Sequence, residues 1–79
     1  MSTVGGRWLR ELAERCAYAA HAATTGGGPK RVAELEAMIR AEAEKRGLHE
    51  HDLAQAVARE WWKRGITSSA QLLQRELLS

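Results

Sequence analysis

Apolar residues recur every three or four positions along almost the whole chain, and nowhere do they alternate with polar residues over a strand's length. That period predicts an all-α fold, a small bundle or orthogonal array of four short helices. The first helix is expected over about residues 6–23, with Leu9, Leu12, Ala13, Cys16, Ala20 and Ala23 on one face and Trp8 at its flank. Opposite that face, Arg7–Glu11, Arg10–Glu14 and Glu11–Arg15 stand at i,i+4 spacing, each pair supporting the helix by roughly 0.2–0.5 kcal/mol. Beyond Leu12 the apolar face holds only Cys and Ala, so another backbone can approach closely there while little area is buried.

The Gly-rich loop 24–28 separates this helix from the next, because glycines end helices and the following Pro29 suits a first helical position. The second helix is expected over 29–46, with Val32, Leu35, Met38, Ile39 and Ala43 inward and Lys30–Glu34, Glu36–Arg40 and Glu42–Arg46 outward. Gly47 stands just past its end, where a left-handed residue is wanted. The third helix, 50–64, has the clearest start. With His49 as the cap, Leu48 and Leu53 occupy the positions of a hydrophobic staple, and Glu50 and Asp52 meet the positive helix end. Leu53, Val57 and Trp61 then repeat every four residues, and Gly65 with Ile66 forms a stop in which Ile66 folds back on Trp61. The fourth helix, 69–78, opens on Ser68 and Gln71, a capping-box pair, and carries Ala70, Leu72, Leu73, Leu77 and Leu78. Four leucines so close to the last residue either dock in the core or meet a partner.

Composition narrows the reading. In a chain of 79 residues that is 44% hydrophobic, 14 of the apolar residues are Ala. The result is one thin core, a single domain spanning 1–79, and an expectation of help from a partner chain. One cysteine excludes an internal disulfide framework and fits a reducing compartment. The N-terminal stretch lacks the apolar run of a signal peptide, and no segment approaches a membrane span, so a cytoplasmic protein without membrane contact is expected. The abundance of Ala, Gly and Arg, all with GC-rich codons, suggests a bacterial or phage source.

Candidate chemistry is sparse. His49-Glu50-His51-Asp52 crowds four potential ligands into four residues, yet i,i+2 histidines diverge on a helix, so no metal and no other cofactor is expected. Cys16 lies on the apolar face, and His21 is about 140° away around the helix, so no catalytic dyad and no enzyme is expected. The Gly-Gly-Gly-Pro-Lys-Arg stretch lacks the strand and spacing of a phosphate loop. Residues 62–73 resemble the helix-hairpin-helix family, which holds a DNA phosphate on a G-h-G turn. Thr67 stands in place of the second glycine, however, and the stretch before Ala70 is one residue short.

What remains is surface recognition. Adjacent Trp61 and Trp62 point about 100° apart. Trp61 continues the core stripe, whereas Trp62 shares its side with Gln55 and Ala58 at the core's edge. With Arg59, Lys63 and Arg64 around it, and with Trp8 and Leu78 as further apolar residues left over, Trp62 marks the expected partner-binding surface. The function expected is that of a small non-enzymatic regulatory or inhibitory protein, working as a homodimer or on another protein. Nucleic acid is the alternative partner for the same basic and aromatic surface. A net charge of only +2 from interleaved signs weakens that alternative.

Overall fold

The computed structural model describes residues 6–78. The first five residues of the N-terminal stretch weighed above as a signal peptide lie outside those bounds. Among the described residues every regular element is helical: α1 (Arg7–Ala22), α2 (Gly28–Arg46), α3 (Glu50–Lys63) and α4 (Thr67–Leu77). The all-α expectation therefore holds. The count of four separate helices needs correcting, because helical hydrogen bonding does not lapse between α1 and α2. A π-helical turn, Ala23–Gly27, joins them, leaving three unbroken helical runs among the described residues.

The segment expected as an open Gly-rich loop is thus a hydrogen-bonded kink. Two threonine hydroxyls hold it, Thr24 Oγ1 donating to the His21 carbonyl at 2.8 Å and Thr25 Oγ1 to the same oxygen at 3.0 Å. The reversal itself comes at Thr25 (φ −107°, ψ 15°) and Gly26, whose φ of 127° is closed to residues with a Cβ. Across this kink α1 and α2 run antiparallel. Arg15 reaches Glu42 at 3.7 Å, and the Arg46 guanidinium lies 3.8 Å above the centre of the Trp8 ring. Glu42, its side chain only 11% exposed, also accepts a 2.5 Å bond from Arg46. That bond, the first cause, holds its carboxyl below the usual carboxylate range. Within α2, Glu34 pairs with Arg31 at 2.6 Å instead of Lys30, while the Glu36–Arg40 pair forms as spaced.

The other two helices form a second hairpin laid on the first. Each preceding helix stops by the same device. Gly47 (φ 68°) follows α2, with the Leu48 amide donating back to the Ala43 carbonyl at 2.8 Å. Gly65 (φ 75°) follows α3, with the Ile66 amide donating to the Trp61 carbonyl at 2.8 Å and the Gly65 amide to Trp62 at 3.1 Å. This is the six-to-one and five-to-two pattern that satisfies carbonyls at a helix end. Leu48 and Ile66, the residues after each glycine, pack against the core. A Cβ at position 65 meets no neighbour, so Gly65→Ala tests backbone strain alone. It should cost about 1–2 kcal/mol and lower the thermal midpoint by about 4–8 °C per kcal/mol. An unchanged melting curve would show that the left-handed stop does not matter.

α3 begins as expected at His49, in extended geometry, although its side chain makes no capping hydrogen bond. The start of α4 differs from expectation. The helix opens at Thr67 with Ile66 in the cap position and no side-chain cap, so the Ser68–Gln71 box does not form. The helix gains its first turn earlier because Ser69 turns inward and is 5% exposed beside Ala70. The core collects Leu9, Leu12 and Cys16 from α1, Leu35 and Ile39 from α2, Leu53, Val57 and Trp61 from α3, and Leu72 and Leu73 from α4. On α1 Ala19 is buried, whereas Ala23 falls past the end of the helix and is only partly buried, and on α2 Val32 and Met38 reach only the core's margin. Trp61 lies at the centre, 0% exposed, its indole Nε1 donating to the Ala13 carbonyl at 3.0 Å. No helix among the described residues is long and apolar enough to cross a membrane.

Candidate protein-binding groove

Gln55, Ala58, Arg59 and Trp62 are spaced i, i+3, i+4 and i+7, so α3 presents them as one stripe beside its Leu53–Val57–Trp61 face, with Ala58 buried at the base of the stripe. α4 folds back along α3 and sets Gln74 and Leu78, one turn apart, against that stripe. The six side chains line a groove of about 280 Å³. Trp62 forms a wall of it and is 43% exposed, and Leu78 is half-buried. Three of the residues expected at a partner surface, Trp62, Arg59 and Leu78, therefore come together.

The others separate. Lys63 lies 3.7 Å from Glu60 with its side chain 75% exposed. Arg64 points away from the groove toward α1, 3.6 Å from Glu14, and also approaches Glu60 at 3.7 Å. Pairs this exposed contribute at most about 1 kcal/mol each, but they cancel local positive charge. Arg59 makes no ion pair with any described residue. Trp8 lies half-buried under Arg46 at the open end of the first hairpin, distant in sequence and in place from the groove.

The chemistry on offer is that of recognition. An indole face and Leu78 present apolar area, the Arg59 guanidinium presents a planar fork suited to a carboxylate, and Gln55 and Gln74 can each donate and accept. A groove of this size takes one large apolar side chain with a carboxylate close by. His49, Glu50 and His51 line a different cleft, with Ala54 and Leu77, in which Glu50 is paired with Arg40 at 3.4 Å. No group of three or more His, Cys, Asp or Glu side chains is placed to hold a metal among the described residues. Cys16 is fully buried, and that burial pushes its thiol up to about 11. His21 is exposed, so thiol and imidazole are not partnered.

Spacing alone had put Trp62 with Gln55 and Ala58. The contribution of Gln74, and the turning away of Arg64, depend on how α4 and α1 pack and leave no mark in local sequence. Tyr18, 82% exposed on α1, was not singled out by the sequence at all. No protein-family model matches this chain, and no curated protein or solved structure is significantly similar to it.

Proposed function

We propose that the protein is a small non-enzymatic regulator or inhibitor that acts by binding another protein, with the α3–α4 groove as its contact surface. The observation that carries this reading is Trp62. A large aromatic is left 43% exposed at the rim of a groove whose one cation, Arg59, has no carboxylate among the described residues. Trp and Arg are among the residue types most enriched where binding energy concentrates. The partner segment it suits carries a large apolar residue next to Asp or Glu. In this reading the chain works as a homodimer inside the cell. The loss of Lys63 and Arg64 to acidic neighbours favours a protein over nucleic acid, whose affinity comes mainly from unpaired cations meeting phosphates.

Affinity capture from the source cells, run in parallel with Trp62→Ala and Arg59→Glu, tests the reading. A species retained by the parent chain should be lost from both variants, with affinity falling at least about 30-fold for Trp62→Ala, or about 2 kcal/mol. Both variants should melt like the parent, since neither side chain belongs to the core. Titration with random duplex DNA at low and raised salt supplies the contrary outcome. Steeply salt-dependent binding, abolished by Lys63→Ala with Arg64→Ala, would replace the protein partner with nucleic acid.

A further inference from the structure

The groove between α3 and α4 offers side chains but no free backbone. From Gln55 to Trp62 its wall lies inside α3, where amides and carbonyls bond along their own helix. On the facing wall the Leu78 amide donates to the Gln74 carbonyl at 3.2 Å. An extended segment therefore finds no strand edge to pair with, whereas a helix satisfies its own backbone and brings only side chains. The groove is also short. Gln55 to Trp62 spans about 10.5 Å at 1.5 Å per residue, two turns of a helix laid along it.

Because α4 runs back along α3, Leu78 stands toward the Gln55 end of the groove and Trp62 at the other. Ala58, 3% exposed, is the floor between these two larger apolar groups, and a small floor between large walls seats one anchor side chain. Arg59 follows Ala58 directly. No carboxylate lines the groove among the described residues, and Arg59 pairs with none, while Lys63 and Arg64 are answered by Glu60 and Glu14. The complement of that one guanidinium thus comes from the occupant. On a helix, an apolar residue and an acid share a face when three or four positions apart, about 5–6 Å between their Cβ atoms. In an extended segment adjacent residues point to opposite faces, so the same two groups stand two positions apart.

We infer that the occupant of the groove is an acidic amphipathic helix of the partner protein, with one large apolar residue seated over Ala58 and an Asp or Glu one turn away on Arg59. This rests on the groove being the contact surface, and adds the form and register of what fills it.

Selection on the full chain from a phage-displayed library of random linear peptides of about 16 residues, long enough for a bound helix, tests it. Peptides retained by the parent and not by Trp62→Ala should share a large apolar residue with Asp or Glu three or four positions away. No Pro should stand between the two. A synthetic copy of such a peptide should gain helix on binding, read by circular dichroism. It should bind Arg59→Glu at least about tenfold more weakly, since like charges then face each other. Repeating the selection on Arg59→Glu should return Lys or Arg at the same spacing. Neither side chain belongs to the core, and circular dichroism of the free variants should match the parent. Trp62-dependent peptides with the acid two positions away, with an intervening Pro, or bound equally by Arg59→Glu overturn the acidic helix while leaving the groove standing. Peptides indifferent to both variants, or no enrichment at all, overturn both.

Discussion

Trp61→Ala should abolish cooperative unfolding at ordinary temperature, whereas Trp62→Ala, one residue away, should leave the melting curve nearly where it was. Trp61 is 0% exposed and touches the core from its middle, and its indole proton satisfies a buried contact to the Ala13 carbonyl at 3.0 Å, 48 residues away in sequence. Truncation leaves a cavity where the four helices meet. For buried aromatics that costs about 3–5 kcal/mol. A domain of this length holds only about 4–12 kcal/mol in total, and an alanine-rich core has few large neighbours able to collapse into the space. Trp61→Phe separates the two contributions. Most of the volume remains, the donor is lost, and Ala13 loses an extra partner on a carbonyl that α1 can still use, so the cost should be about 1–2 kcal/mol. Trp62→Ala removes a half-exposed ring, a change of under about 1 kcal/mol. Thermal and denaturant melts followed by circular dichroism decide the matter. Equal losses at the two tryptophans would mean that the groove wall is structural and would remove the main support for a binding role.

The contrast between the two tryptophans was legible in the sequence because it follows from helical period alone. So were the glycine stops at 47 and 65, since each depends on a left-handed residue followed by an apolar one, and both motifs are local. The kink at 23–27 was not. There Thr24 and Thr25 turn their hydroxyls back to the His21 carbonyl and the chain reverses at Thr25 and Gly26, whereas composition alone suggests only a break. The start of α4 misled for a related reason. Ser68 and Gln71 match a capping box, but with Ser69 buried beside Ala70 the helix starts two residues earlier, and tertiary packing overrules the local signal. The binding surface divided along the same line. Residues sharing one stripe of α3 could be grouped from spacing, while Arg64 turned to α1 for Glu14, a partner 50 positions back that no local pattern identifies.

Raising the pH from 9 to 11 should remove about 2–3 kcal/mol of stability through one group, Cys16, and a Cys16→Ala variant should lack that loss. The thiol is fully buried between Leu12 and Ala20, and burial pushes it from 9.0 to about 11, with Arg15 lowering it slightly and Glu42 raising it. Desolvation disfavours the thiolate, so the folded chain keeps its proton at a pH where the unfolded chain has released it. The stabilisation is therefore complete below pH 9. It falls as pH climbs through the window between the two values and is exhausted near 11, at about 1.4 kcal/mol per unit. Every other ionisable group is shared by the variant, so the difference between the two pH profiles isolates the thiol. Cys16→Ala carries its own penalty for the lost sulfur, a constant offset that does not vary with pH. Denaturant melts of both proteins at half-unit steps from pH 8 to 11 measure the slopes. Parallel profiles would place the thiol in contact with water, and with that contact the packing of α1 against α2 around Glu42 would have to be redrawn.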